Sequence, residues 1–303
     1  MVLAVDLGQS GTRLRWTAGE YSSQRAKRAN ESPVDVLRDV FLEVATLFGD
    51  AHLRNDVVAL SLTGIYGHVP DPEPYGQLAR EFFGATTVAV IDDGLAGFVG
   101  ALGSDDGVAL SVGSGVVAVG GRRGKFAHAD GLGHIFGDQG GGFWLGKHGL
   151  ERALATRQGR ESDALLLDFL SSEVVQFDEL ESKTGPDAQL LCILTAKKVL
   201  EAAEQNISSA VTIRDQGAEQ LAKTVAAAWI SAGGVRNEGL CLALLGGLSR
   251  NRDYEELIWS RVFSLLPQVR LITPHGNHLD GAIAIATLMK NDSLPLLRWW
   301  RYS

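Results

Sequence analysis

The chain has 303 residues, a formal net charge of −8 at pH 7, and 36 glycines. A chain of this length can bury a substantial core and is expected to divide into two domains. The negative charge, with no basic stripe, argues against a nucleic-acid partner. No apolar stretch approaches the roughly 20 residues that a membrane span requires, so we expect no membrane association.

The two cysteines bear on the cellular compartment. Cys192 lies in an apolar helical run, and Cys241 begins a predicted buried strand. Two such thiols are typical of a reducing compartment rather than of a disulfide framework. The chain also opens on a core strand rather than on a signal-peptide pattern. These observations predict a cytoplasmic protein.

Hydrophobic periodicity predicts strands and helices that alternate along the chain. The first part has predicted strands near 2–7, 12–18, 57–62 and 87–91, and helices near 33–48, 76–83 and 94–102. Three further strands begin at 107, which predicts domains of residues 1–105 and 106–303. The remaining elements are helices near 143–157, 162–172, 187–205, 208–232, 251–265 and 278–290, and strands near 240–245 and 269–273. Residues 173–187 are expected to form a surface connection.

The most informative segment is VLAVDLGQSGTRLRWTAG, residues 2–19. An apolar strand ends in Asp6, and glycines and hydroxyls then predict a tight hairpin. Such a hairpin can point several backbone N–H groups at a phosphate, while Asp6 would hold Mg²⁺ directly or through water. A hairpin with a charged corner and no ligand is the alternative. The candidate cofactor-binding residues are Gly8, Gln9, Ser10, Gly11 and Thr12.

Two later segments repeat the pattern of a strand followed by glycines. One is VALSVGSGVVAVG, residues 108–120, which contains Gly113, Ser114 and Gly115. The other is LALLGGLSR, residues 242–250, which contains Gly246 and Gly247. All five are candidate cofactor-binding residues, and their order along the chain is more specific than any single motif.

Two acids stand where a strand meets a helix in VAVIDDGLAGFVGAL, residues 88–102. An acid at the carboxyl end of a strand in an α/β sheet projects into the crevice where ligands bind. A carboxylate there could accept the proton of a hydroxyl that is being phosphorylated. Either Asp92 or Asp93 could instead cap the helix, and one could cap while the other catalyses.

Residues 131–146, GLGHIFGDQGGGFWLG, form a glycine-rich turn that enters a helix. His134 and Asp138 lie on this turn without the Cys or second His of a zinc site. They suit hydrogen bonding to sugar hydroxyls. A structural glycine loop with a capping acid is the alternative.

The ordered glycine hairpins resemble the superfamily of sugar kinases, actin and heat-shock chaperones. Residues 88–102 and 131–146 resemble the N-acetylglucosamine kinase group, in the family that also holds the BadF/BadG/BcrA/BcrD-type ATPases. That resemblance runs from Leu3 to about Ala286. It implies an α/β fold of two related actin-like (ribonuclease H-like) domains flanking a nucleotide cleft. It further implies ATP as cofactor and an amino-sugar partner. N-acetylglucosamine, phosphorylated at its 6-hydroxyl, is the first candidate, and glucosamine, other hexosamines and N-acetylmuramic-type sugars are the alternatives. We also expect a homodimer.

The resemblance also assigns roles to residues. The two hairpins would hold the β- and γ-phosphates and the Gly246–Gly247 turn would lie against the adenosine. Asp93, rather than Asp92, falls on the catalytic base of the family. The implied substrate-binding residues are Asn30, Thr63, Gly64, Asp93, His134 and Asp138. An alternative for Asn30 is that it only precedes a helix, because Ser32 and Pro33 suit the N-cap and first turn of that helix equally well.

Three departures from the family pattern bear on the substrate. Leu132 stands where Trp is common, Gln139 replaces Glu, and Gly141 replaces Ser. The missing aromatic ring and charge put the preference for a 2-acetamido sugar in doubt, but not the kinase assignment.

Two other functions remain open from the sequence. One is an ATPase activator of a 2-hydroxyacyl-CoA dehydratase, in which two exposed cysteines per subunit hold a shared [4Fe–4S] cluster. The other is a non-catalytic sugar or nucleotide sensor, which would be expected to lack a catalytic acid. Cys192 and Cys241 lie inside predicted elements, and Asp6 and Asp93 are both present, so the kinase is favoured.

Overall fold

The computed structural model describes residues 2–9, 11–17, 19–28, 31–49, 54–65, 67–173, 184–288 and 296–302. The strands are β1 Val2–Leu7, β2 Thr12–Trp16, β3 Gly19–Ser23, β4 Val57–Leu62, β5 Thr87–Asp92, β6 Gly107–Val112, β7 Val116–Arg122, β8 Lys125–Asp130, β9 Leu240–Leu245, β10 Val269–Ile272 and β11 Leu297–Arg301. The helices are α1 Pro33–Phe48, α2 Glu73–Phe83, α3 Asp93–Leu102, α4 Gly142–Arg157, α5 Ala164–Glu173, α6 Gly185–Glu204, α7 Ser208–Ser231, α8 Arg252–Leu265 and α9 His278–Leu288.

The first sheet has six strands in the order β11-β5-β4-β1-β2-β3. Strands β1, β4 and β5 are parallel, and their register pairs Asp6 with Ser61 and Leu62 with Asp92. The carboxyl ends of parallel strands meet at one edge of a sheet, where ligands bind in open α/β folds. The acids of β1 and β5 are therefore brought to the same edge.

Apolar side chains of these strands form one core with the inner faces of α1 and α2. Phe41 of α1 and Phe83 of α2 are fully buried there, and their rings meet edge to face at 4.6 Å. Helix α9 packs on β1 and β4 and against α3. The two helices approach closely because Gly281 lies directly on the backbone of Ala96.

The second sheet has five strands in the order β10-β9-β6-β7-β8, with β9 and β10 parallel. Its helices include α4 and α6, which pack closely because Gly146 of α4 lies on the carbonyl of Cys192. Trp229 of α7 is fully buried, and its Nε1–H donates to the carbonyl of Val235.

The chain folds into two compact units. The first comprises residues 1–109, 119–128 and 273–303, and the second comprises residues 110–118 and 129–272. Helix α9 and strand β11 therefore belong to the first unit, although they follow the whole of the second unit along the chain.

Most predicted elements are present, and α1, β4 and β9 have the predicted bounds. Helix α2 begins at Glu73, earlier than the predicted residue 76, because Pro74 occupies a first-turn position that its missing N–H tolerates. The short polar strand β3 and the late strand β11 were not predicted. Within the described residues, none of the helices combines the length and apolarity needed to span a membrane.

The aromatic residues near 300 pack against the first unit. Trp300 is 7% exposed, lies against Gly76 of α2, and donates from Nε1 to Glu73 at 2.9 Å. Tyr302 is mostly exposed and lies under the guanidinium of Arg80. Part of the predicted connection at 173–187 lies outside the described residues.

Candidate active site

Asp6, the predicted metal-binding residue, lies at the carboxyl edge of the first sheet with two partners already in place. It is 7% exposed, and its Oδ2 accepts hydrogen bonds from the Arg13 guanidinium, with Nη2 at 2.5 Å and Nε at 3.2 Å. Its Oδ1 accepts from the hydroxyl of Ser61 at 3.2 Å. The β1–β2 register sets Asp6 opposite Arg13, so the hairpin itself creates the ion pair.

Asp92 is a structural acid. Its Oδ1 accepts from the N–H of Gly94 at 3.0 Å and caps α3, and its Oδ2 accepts from the N–H of Gly67 at 3.1 Å. Only 1% of Asp92 is exposed. His128 of β8 lies beside it, with Nε2 3.9 Å from Oδ1. Burial raises the pKa of Asp92, while the His128 charge and the backbone N–H groups oppose that shift.

Asp93 is the partly exposed member of the pair, and it is the first residue of α3. Removal from water raises the pKa of Asp93 to about 8, and the neighbouring charge of Asp92 adds to the shift. A hydrogen bond from Thr63 acts in the opposite direction, and the charge of Asp6 raises the pKa further. Asp6, Thr63 and Asp93 therefore form one polar group within the first unit.

The first glycine hairpin is tight. The N–H of Gly8 donates to the carbonyl of Gly11, whose φ of +153° is one that side-chain-bearing residues rarely adopt. Gln9 is exposed, whereas Thr12 is fully buried and its hydroxyl donates to the carbonyl of Arg25 at 2.6 Å. The Thr12 hydroxyl thus holds the next segment rather than facing a ligand, because the alternation of β2 directs it inward. Ser10 lies outside the described residues.

The turn after β4 completes this group. Gly64 follows Thr63 with a φ of +68°, and the amine of Lys27 lies against it. The backbone N–H of Lys27 donates to the carbonyl of Gly8 at 3.0 Å, which ties residue 27 to the first hairpin. Asn30, the other predicted sugar contact of this unit, lies outside the described residues.

In the second unit, the glycine hairpin after β6 is joined to the start of α4. The N–H of Gly113 donates to the carbonyl of Gly115 at 2.9 Å. The carbonyls of Gly113 and Ser114 accept from the N–H groups of Gly142 and Phe143. Two of the unpaired N–H groups that open a helix are therefore bonded to this hairpin rather than left for an anion.

Asp138 holds the same hairpin. Its Oδ1 accepts from the N–H of Val116 at 2.9 Å, and its own N–H donates to Asp130 at 2.8 Å. Asp130 and Asp138 both adopt positive φ, of 64° and 60°. Burial raises the pKa of Asp138, and the hydrogen bond from Val116 opposes that shift. The loop thus has the structural role that the sequence allowed as the alternative to sugar binding.

A ring contact and a hydroxyl contact hold two further positions of residues 131–142. His134 packs on the ring of Phe143, with 4.5 Å between ring centroids. The buried hydroxyl of Tyr254 donates to the carbonyl of Gly140 at 2.9 Å. Leu132, which replaces the aromatic residue common in the resembled family, is 58% exposed.

The glycine turn after β9 also packs tightly. Gly246 has a φ of +95° and lies on the backbone of Val112, at the end of β6, where no side chain would fit. At Gly247, in contrast, no atom of the described residues lies within 4 Å of the place where a Cβ would be. Gly246 thus meets the strand that leads into Gly113–Gly115, so the two predicted phosphate- and adenosine-binding turns of the second unit are neighbours.

Several polar residues of the candidate site were not predicted from the sequence. Arg13 could have been found, because a four-residue hairpin after Leu7 sets it opposite Asp6. No sequence pattern indicated the roles of His128, Asp130 and Tyr254, because each meets its partner through tertiary packing.

The described residues contain no group of three or more acidic, His or Cys side chains that could hold a metal ion. Mg²⁺ in nucleotide enzymes is usually held by one or two carboxylates together with phosphates and water. The Asp6 Oδ1, which among the described residues accepts the Ser61 hydroxyl alone, fits such a hydrated ion.

Comparison with known proteins gives the family and the fold. The model of the BadF/BadG/BcrA/BcrD ATPase family matches residues 3–283. An N-acetylmuramic acid/N-acetylglucosamine kinase of Clostridium acetobutylicum is 20% identical over 94% of this chain and 97% of its own. A structural genomics target from Chromobacterium violaceum, with the provisional name N-acetylglucosamine kinase, is 22% identical with a TM-score of 0.71, over 94% of this chain and 98% of its own.

A more distant solved structure is the ROK family glucokinase of Streptomyces griseus in complex with glucose and AMPPNP. It is 17% identical with a TM-score of 0.61, over 94% of this chain and 99% of its own. These likenesses confirm the predicted fold class, an α/β protein of two actin-like domains.

Proposed function

Because the chain belongs to the BadF/BadG/BcrA/BcrD ATPase family, we propose that it is an ATP-dependent kinase that phosphorylates a hydroxyl of an amino sugar. N-acetylglucosamine, converted to its 6-phosphate, is the leading substrate. The names of the relatives from Clostridium acetobutylicum and Chromobacterium violaceum support this choice. The observation that carries the proposal is the difference between two adjacent acids. Both oxygens of Asp92 are bonded to backbone N–H groups, so Asp93 is the acid of this pair that can accept a proton.

The proposed chemistry starts at Asp93. Asp92 has both oxygens bonded to backbone N–H groups, whereas Asp93 is partly exposed and is oriented by Thr63. As the sugar oxygen attacks the γ-phosphorus, its proton passes to a carboxylate oxygen of Asp93. The bond between the γ-phosphorus and the bridging oxygen breaks, and ADP leaves with the electron pair. A positioned base of this kind contributes about 10²–10⁴-fold in rate.

We propose that the glycine hairpins and the Gly246–Gly247 turn bind ATP and that Asp6 holds Mg²⁺ through water. The ion would neutralise charge on the phosphates. Asp6 keeps its own orientation through Arg13 and Ser61. His134 and Asp138 of the second unit are the further proposed sugar contacts. One oxygen of Asp138 already accepts from Val116, which leaves the other for a sugar hydroxyl.

The positions of the two cysteines argue against the function of an iron–sulfur ATPase activator. Cys241 is buried in β9 and Cys192 lies within α6, so neither is on an exposed loop. Both thiols are free, which supports the cytoplasmic location we propose. We also propose that the compact units are the two actin-like domains. The chain leaves the first unit after residue 109, passes through it again at residues 119–128, and returns to it at residue 273.

A coupled assay of ADP release across a panel of amino sugars tests the proposed function. We expect sugar-dependent turnover, and we expect Asp93→Asn to lower kcat at least about 100-fold without loss of ATP affinity. An Asp93→Asn variant that keeps more than about a tenth of the turnover would exclude Asp93 as the base.

The same preparation tests the proposed metal and assembly. Asp6→Asn should weaken the Mg²⁺ dependence of turnover, because a hard anionic partner is lost. Light scattering should give twice the chain mass of 32.4 kDa, as expected for the proposed homodimer.

A further inference from the structure

Lys27 differs from three arginines near the first hairpin. Arg13 pairs with Asp6, Arg15 with Asp280, and Arg25 with Glu31 and Asp39. In the described part of the chain, no carboxylate pairs with the Lys27 ammonium. The ammonium donates a long hydrogen bond, at 3.5 Å, to the carbonyl of Arg28.

The ammonium of Lys27 is held at a defined place. The N–H of Lys27 donates to the carbonyl of Gly8, and the Thr12 hydroxyl donates to the carbonyl of Arg25 two residues earlier. The side chain then reaches Gly64, where Nζ would lie 3.2 Å from a Cβ. Lys27 is also partly buried. Among the described residues, a cation without a carboxylate partner thus lies between the first glycine hairpin and the Thr63–Gly64 turn.

The position of Lys27 is important because the two residues that it contacts, Gly64 and Gly8, adjoin the proposed base and the proposed phosphate site. Gly64 follows Thr63, whose hydroxyl bonds to the proposed base Asp93. Gly8 belongs to the hairpin proposed to bind phosphate. The acids at this edge from β1, β5 and α3 are Asp6, Asp92 and Asp93, and the nearby basic groups of Arg13 and His128 already lie against Asp6 and Asp92. An incoming anion would therefore meet repulsion unless a free cation received it.

We propose that the Lys27 ammonium binds an oxyanion of the reactants at the Thr63–Gly64 turn. The inference rests on the proposed kinase function and adds a residue to it. The anion has two possible sources, the phosphoryl group in transfer or a carboxylate carried by the sugar. A charge-assisted hydrogen bond to such a group is worth about tenfold to a hundredfold in affinity or rate.

The test compares Lys27→Met and Lys27→Arg with the wild type and with Lys125→Met. Lys125 is an exposed lysine at the start of β8, so its variant controls for the loss of a surface charge. Kinetics are measured with N-acetylglucosamine, which is neutral, and with N-acetylmuramic acid, which carries a carboxylate. Melting curves check that each variant is folded, and Lys27→Arg should recover part of the lost activity because it keeps the charge.

Two results would support the inference and distinguish the sources. A loss of kcat of at least tenfold with both sugars in Lys27→Met identifies the phosphoryl group. A tenfold rise in KM for N-acetylmuramic acid alone identifies the sugar carboxylate. Rates for Lys27→Met within twofold of those for Lys125→Met with both sugars would overturn the inference.

A binding measurement keeps the inference separate from the proposed function. If the wild type phosphorylates no sugar, the kinase proposal fails, and calorimetry with AMPPNP and with N-acetylmuramic acid then tests Lys27 alone. A tenfold weaker affinity of Lys27→Met for either ligand supports the inference. Equal affinities of Lys27→Met and the wild type for both ligands overturn it.

Discussion

At the scale of single residues, two adjacent acids of the same type have different environments because a helix starts between them. Asp92 ends β5 in extended backbone, so its carboxylate turns back to cap α3. Asp93 is the first helical residue and its side chain remains partly exposed. The backbone, rather than the residue type, decides which carboxylate is structural and which is available for proton transfer.

The raised pKa of Asp93 gives a pH dependence of activity. A base must be ionised to accept a proton, so we expect kcat to rise with pH up to about 8, the pKa of Asp93, and to fall below it. A pH–rate profile from pH 5.5 to 9 measures this. A profile that is flat from pH 9 down to pH 5.5 would contradict the assignment.

The same shift has a consequence for stability that is independent of activity. A carboxyl group whose pKa is raised by folding binds more protons in the folded state, so stability falls as pH rises between about 4 and 8. Asp93→Asn removes this dependence. Its melting temperature relative to the wild type should therefore increase between pH 5 and pH 8.

Removing the Asp92 carboxylate should destabilise the protein. Asp92→Ala removes the acceptor for two N–H groups, those of Gly67 and Gly94, and should cost about 1–3 kcal/mol of unfolding free energy. Urea denaturation measures the loss. Ser32→Ala is the matched control, since Ser32 is the N-cap of α1 but makes no side-chain capping bond. Equal stabilities of the two variants would argue against the capping role.

At the scale of elements, α3 and α9 are held together by glycines. Gly100 of α3 lies on the carbonyl of Asn277, just before α9, and Gly281 of α9 lies on the carbonyl of Ala96. Since α3 begins with Asp93, this contact also fixes the direction of the helix that carries the proposed base.

Gly281→Ala should therefore destabilise the protein. The added Cβ would overlap the carbonyl of Ala96 and force α9 away from α3, at a cost of about 1–3 kcal/mol. Gly239→Ala provides the control, because no atom lies within 4 Å of the Cβ that this substitution adds. Thermal denaturation of the two variants makes the comparison, and an unchanged Gly281→Ala would mean that the helices can separate without cost.

At the scale of the whole molecule, the first unit is assembled from distant parts of the chain. Strand β11 pairs antiparallel with β5, and α9 packs on β1 and β4. Trp300 enters the core formed by α1, α2 and the parallel strands. These late segments complete a sheet whose first strand begins at Val2.

A fragment of residues 1–272 should therefore lose protection in the first sheet. Without α9 and β11, one edge of β5 and the surface of β1 and β4 that contacts α9 are exposed. Hydrogen exchange followed by mass spectrometry should show fast exchange in β4 and β5 while α7 and β9 stay protected. Wild-type protection of β4 and β5 in the fragment would show that the late segments are dispensable.

The sequence by itself determined the local elements and indicated the class of protein. Apolar periodicity located α1, β4 and β9, and strand-end acids with glycine hairpins indicated a phosphate-handling protein. Such signals are readable because burial repeats with the period of one element and because glycine marks backbone that other residues avoid.

Only the tertiary structure decided which distant groups meet. Strand β11 joins β5 across about two hundred residues, and His128 reaches Asp92 from another strand. Asp138 turned out to hold the second hairpin through Val116, and Thr12 turned out to face inward. A periodic pattern reports how much of an element is buried but not what buries it, since its partners are chosen by the packing of the whole chain.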